Sequence, residues 1–134
     1  MGGIVLLIGR VVFSFFFIYS GFNHLTKLTM YAQYAGASGV PSPTLATAAS
    51  GVMLLAGGLS ILLGVQPRWG AILLMLFLLP AAFMVHKFWG ISDPMMAANQ
   101  AAHFWKNMTL VGGCLMIYGF ATLYPMRWPY SLGR

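Results

Sequence analysis

Acidic side chains are all but missing from this sequence: Asp93 is the one aspartate or glutamate in 134 residues. That leaves no carboxylate pair for acid–base work, no carboxylate-rich metal site and no Ser-His-Asp triad. Cysteine is as scarce. Cys114 stands alone inside an apolar stretch, so it reads as inert and forms no disulfide, zinc, iron–sulfur or thiol-exchange pair. No glycine-rich phosphate loop is present, and the three histidines, His24, His86 and His103, lack the HxxH or HExxH spacing that would mark a metal site. Charge of either sign is thin. Charged residues make up 6% of the chain, against about 25% in a soluble domain. Too few remain to cover a water-facing surface, so lipid must be the solvent. The formal charge of +6 comes from seven basic residues spread singly, with no cluster or stripe, which excludes nucleic acid as a partner.

What the chain has instead is apolar length. Hydrophobic residues are 60% of it, and the mean hydropathy is +0.82. Four runs stand out, at Ile4–Phe22, Thr44–Val65, Trp69–Val85 and Phe104–Tyr124. Each is close to the ~20 residues a helix needs to cross the hydrocarbon, and lipid, offering the backbone no hydrogen-bond partners, forces such segments to be helical. The expectation is an all-α membrane protein: one domain, 1–134, holding a four-transmembrane-helix bundle with short loops. Its helices fall at about 4–23, 43–65, 69–88 and 94–124. The first run carries Arg10 and lacks a basic segment before it, so it reads as a span and not as a cleaved signal. Ser42 and Pro43 mark the start of the second helix, and Asp93 and Pro94 the start of a long fourth. A tight turn at Gln66-Pro67-Arg68 makes the second and third helices antiparallel neighbours. Pro80 implies a kink in the third. Ala56, Ser60 and Gly64, four apart, offer a close-packing face.

Four spans put both termini and the Gln66–Arg68 turn on one side, with Arg10, Arg68, Arg127 and Arg134. Lys27, Lys87, Lys106 and Asp93 fall on the other. The positive-inside rule then leans, four against three, toward cytoplasmic termini. By the same parity all three histidines share one membrane face with Asn23, Lys27, Lys106, Asn107, Trp89 and Trp105. Asn99, His103 and Lys106, and Gln100, His103 and Asn107, follow helical spacing, and so do Tyr19, Asn23, Lys27 and Tyr31 if the first helix continues past Phe22. Two polar stripes at one depth are expected to face each other, because unpaired polar groups in hydrocarbon are costly. Candidate ligand-binding residues are therefore His86, His103, Lys106, Asn107, Asn23, His24, Lys27, Trp89 and Trp105, arranged to receive an oxygenated amphiphile: a quinone, a lipid or a small anion. The plain alternative is an interfacial belt of snorkelling lysines and aromatics meeting headgroups. Arg10, Ser60 and Gly64 read as lipid or packing positions.

The chain also resembles a known family. Arg10 followed by Tyr19-Ser20-Gly21-Phe22-Asn23-His24-Leu25, the link Gly39-Val40-Pro41-Ser42-Pro43, the stretch Gly57–Gly64, His86-Lys87-Phe88-Trp89 and His103-Phe104-Trp105-Lys106-Asn107 together are similar to the DoxX family, in order, over nearly the whole chain. The resemblance implies a small four-helix protein of a prokaryotic inner membrane, a subunit of a quinone-linked redox complex associated with a quinol oxidase or a thiosulfate:quinone oxidoreductase. It implies other membrane subunits and the bilayer as partners, and quinone as the one cofactor to look for, not covalently bound. A stand-alone quinone- or thiosulfate-linked module, and a structural lipid-binding subunit of a respiratory or photosynthetic assembly, are the rival readings. Many members carry a glutamate just before the paired glycines; here that place is Leu54.

Overall fold

The computed structural model describes residues 1–125 and 127–133. Regular structure among them is entirely helical: α1 (Gly2–Thr26), α2 (Leu28–Ala37), α3 (Pro43–Leu63), α4 (Pro67–Pro80), a π-helical turn (Ala81–Val85) and α5 (Pro94–Leu123). Three segments, Gly2–Thr26, Pro43–Leu63 and Pro67–Val85, are long and apolar enough to cross a membrane. Four were expected. α5 is longer than any of the three, but Asn99, Gln100, His103, Lys106 and Asn107 dilute its first half, and only beyond Asn107 does it run free of charged and amide side chains. Large apolar side chains face outward along the helices, with Val12, Leu45 and Leu123 69, 71 and 75% exposed. A water-soluble bundle would bury them; lipid makes their exposure free of cost.

Several boundaries differ from the sequence reading. α1 runs on to Thr26, and the chain bends at Lys27 (φ −115°, ψ 41°) into α2, a short helix where a connection was expected. α3 stops at Leu63 because Gly64 takes a left-handed conformation, φ 66°. The third apolar run is α-helical only to Pro80, then widens into the π turn, and has ended by His86. Proline has no N–H to donate, and the extra residue of a π turn is a common way to absorb such an irregularity. Ser42 does stand at the start of α3, but in a left-handed conformation and without a side-chain cap. Asp93 caps α5 as expected: its Oδ1 accepts the Met96 N–H at 2.8 Å, and Pro94 opens the helix.

α3 is the centre of the bundle, packed on α1, α2 and α4, while α5 packs on α4. Its glycines permit this. A Cβ on Gly51 would meet Leu25 and His24 of α1, one on Gly58 would meet Ile18, and one on Gly57 would come within 3.0 Å of the Gly70 carbonyl of α4. These glycines make the close approaches, whereas Ala56, the first member of the expected small-residue face, is exposed. Ser60 packs against Gly70, and Gly64 against Ser131 and Arg10. Around these contacts Phe17, Leu54, Ile61, Leu74, Leu78, Val111 and Cys114 close into one apolar core. Leu54 is fully buried there, so the site of the family's frequent glutamate is here a hydrophobic core position.

One end of the bundle is tied by Arg10, which is 3% exposed. Its Nε donates to the Ile61 carbonyl at 3.0 Å, Nη1 to Pro129 at 2.8 Å, and Nη2 to Leu62 and, at 3.4 Å, to Tyr130. The guanidinium also lies 5.9 Å from the centre of the Trp128 ring. Ile61 and Leu62 sit at the C-terminus of α3, where carbonyls lack intrahelical donors and the helix dipole is negative. A buried cation with no acid nearby is thus satisfied by backbone alone. The tail stays in place through the same contacts and through Leu132 N–H to Leu63 O at 2.9 Å. Arg10 therefore faces inward, onto backbone carbonyls. Arg134, counted with it in the charge balance, lies outside the described residues.

Candidate functional site

At the opposite end the bundle is hollow. A cavity of about 470 Å³ opens between α1, α3, α4 and α5, with α2 across it. That volume is in the range of small-molecule sites, about 300–1,000 Å³. Most of its wall is apolar, including Phe16, Met53, Phe77 and Met84; the polar groups are few and gathered.

The close packing of α1 on α3 decides which of those groups reach the cavity. Gly21 lies so near the Gly51 carbonyl that a Cβ there would come within 2.8 Å of it, fixing the rotation of α1. Phe16, Ser20 and His24 consequently face inward. Tyr19, Asn23 and Lys27, expected to form the facing stripe, do not line the cavity. Asn23 is buried, but its Nδ2 donates to the Tyr19 carbonyl one turn back, at 3.1 Å; Tyr19 and Lys27 are exposed. Tyr31, on α2 after the bend, does reach the cavity.

His24 is held by α3. Its Nδ1 lies 2.8 Å from Ser50 Oγ, and Ser50 Oγ lies 2.8 Å from the Thr47 carbonyl. On the far wall His86, the residue that ends the π turn, has Nδ1 3.0 Å from Gln100 Oε1, while Gln100 Nε2 donates to Tyr34 Oη at 3.4 Å. The π turn and the bridge to α2 thus place this ring together. His103 stacks on His86, with ring centres 5.0 Å apart and planes at 24°. Half-burial holds the His86 imidazole below its ordinary pKa; the Gln100 hydrogen bond opposes this, and the charges of His103 and Lys106 add to it.

One turn along α5, Lys106 places its ammonium 5.0 Å from the centre of the Phe16 ring, spanning the cavity toward α1. Asn107 is 4% exposed, lines the cavity and makes no hydrogen bond with any described residue. Its amide borders the cavity, where a ligand or a water can reach it. The cavity thus brings together His24, His86, His103, Lys106 and Asn107 from the sequence candidates. Trp89 and Trp105 pack elsewhere, edge-on to the buried Phe104 at 5.8 and 5.2 Å, in an aromatic cluster outside the cavity. Gln100 stood in the expected polar stripe but not among the candidates, and Ser50, Thr47 and Tyr34 were missed. Ser50 meets His24 across 26 residues, and Gln100 meets His86 across 14 and Tyr34 across 66; no local pattern announces such contacts. Among the described residues no cluster of metal-ligating side chains occurs.

The comparisons with known proteins agree with this membrane architecture. The family model described as DoxX matches residues 5–87. The inner membrane protein YphA of Escherichia coli (strain K12) is 30% identical over 114 residues, covering 85% of this chain and 81% of that protein. The inner membrane protein YqjF of the same organism is 33% identical over 115 residues, covering 83% and 79%. No solved structure matches the chain.

Proposed function

The chain belongs to the DoxX family, and on that premise we propose that it is the ligand-binding membrane subunit of a quinone-linked redox complex. The Asn107 side chain, which borders the cavity beside His103 and Lys106 and makes no hydrogen bond with a described residue, carries the reading. An aromatic head of quinone size fits a mainly apolar chamber with a few polar groups for its oxygens. Lys106 and Asn107 each offer a donor to such an oxygen, and the ammonium favours any negative charge that develops on it, more strongly in a low-dielectric site than in water. The described side chains include no redox centre, so electrons come from partner subunits. α5 is read as a fourth crossing, since the tail beyond it returns to the Arg10 end of α1. With the termini in the cytoplasm, the cavity opens toward the other face of the inner membrane.

Titration of the detergent-purified protein with decyl-benzoquinone, followed by tryptophan fluorescence, tests the proposal. Saturable binding is expected, weakened about tenfold by Asn107→Leu, the loss of roughly one hydrogen bond. Linear, unsaturable uptake, the same in both proteins, would mean partition into the micelle and no site. A cytoplasmic reporter fused after the tail and one inserted near Ser38 should be active and silent respectively; the reverse would invert the orientation.

A further inference from the structure

The hydrogen bonds behind the two cavity histidines fix which ring nitrogen of each faces a ligand, and therefore what a ligand must offer. Ser50 has one hydroxyl proton. The Thr47 carbonyl at 2.8 Å is only an acceptor, so that proton goes to it, and Ser50 Oγ accepts from His24. Nδ1 of His24 carries the hydrogen. Gln100 is oriented with its carbonyl oxygen 3.0 Å from His86 Nδ1 and its amide nitrogen toward Tyr34 Oη, an arrangement in which Nδ1 of His86 donates. A neutral imidazole protonated at Nδ1 has a lone pair and no hydrogen at Nε2. Neither Nε2 is hydrogen-bonded among the described residues, and both rings line the cavity, one from α1 and one from the end of the π turn.

We infer that the cavity selects an amphiphile whose aromatic head donates hydroxyl hydrogen bonds, a phenol or hydroquinone, over one whose head only accepts. A hydroxyl pairs with the Nε2 lone pair; a carbonyl or ether oxygen would face it lone pair to lone pair and leave two half-buried acceptors without a donor. The inference rests on the cavity being the ligand site and adds which form of head group it takes.

Three probes of similar size separate the two ideas: 5-decylresorcinol, whose meta hydroxyls cannot be oxidised to a quinone, its dimethyl ether, and 2-decyl-1,4-benzoquinone. The resorcinol is expected to bind the purified protein at least about tenfold more tightly than either of the others. Equal or tighter binding of the quinone overturns the inference and leaves the cavity as the ligand site. Saturable binding of none of the three overturns both. Gln100→Met, which removes the acceptor behind His86 from outside the cavity lining, should shrink the preference without abolishing binding; an unchanged preference in both Gln100→Met and Ser50→Ala counts against it. A direct readout needs no ligand. The ¹⁵N shifts of His24 and His86 should report a protonated Nδ1 and a bare Nε2, and the opposite tautomer at both rings would refute the assignment.

Discussion

At one end of the bundle Arg10 gives every arm of its guanidinium to a backbone carbonyl, whereas at the other the Asn107 side chain borders the cavity and makes no hydrogen bond with a described residue. Both residues are almost wholly buried. The first is closed chemistry: a cation, the frayed carbonyls of a helix end and a tail that completes the set. The second is open. Its histidines are braced from behind, by Ser50 and Gln100, and their remaining valences are left toward a void. Satisfied polar groups specify a unique structure, while polar groups that border a cavity are open to a partner from outside. On the proposed function, the contrast is between a structural end and a binding end.

The sharpest way to break the comparison is Arg10→Leu. It strands the Ile61 and Leu62 carbonyls and releases the tail, and should cost at least about 3 kcal/mol, several charged hydrogen bonds at once. Denaturation in detergent would measure it, and protease cleavage near Pro129 should accelerate. A variant as stable as the parent would mean that this end is not closed by Arg10. Gly64→Leu should follow, at about 1–3 kcal/mol by overpacking against Ser131 and Arg10, with a further cost because φ is 66°. At the binding end the same measurement should barely move. His103→Ala and Lys106→Ala are expected within about 0.5 kcal/mol of the parent, while each weakens quinone or phenol binding several-fold. A large loss of stability in either would place these side chains among the structural ones. The smallest effect is expected at Ser14, whose hydroxyl is fully buried and unpaired one turn from Arg10. Ser14→Ala should be neutral or stabilising, by up to about 1 kcal/mol.

How much of this was legible beforehand follows from where the contacts lie in the chain. The lipid-facing helices, the Asp93 cap and the gathering of polar side chains at one face come from composition and local spacing, which sequence carries directly. The rotation of α1 does not. Four-residue spacing made Tyr19, Asn23 and Lys27 look like the inward stripe, but the contact of Gly21 with Gly51 turned Ser20 and His24 inward instead. The sequence leaves Arg10 open between lipid and packing, because the carbonyls it meets belong to residues more than fifty positions away. The tryptophans were assigned by their membrane level, and level does not tell which side of a helix they occupy. α5 is not apolar enough to count as a span by hydropathy for a physical reason too: the polar groups that line the cavity are the ones that lower its apolar character.

The π turn at Ala81–Val85 has one more consequence. Its hydrogen bond from His86 N–H to the Ala81 carbonyl, 3.0 Å, spans five residues where an α-helix spans four. The wall of the cavity therefore contains one amino acid more than a regular helix of equal reach. Removing any one of the five would leave a more regular helix of the same composition, yet it would swing His86 round the axis by about 100°, off the ring of His103 and away from the amide of Gln100. At this point the site is sensitive to arithmetic as much as to chemistry. Substitutions between Ala81 and Val85 can be absorbed by repacking, but a change in their number cannot.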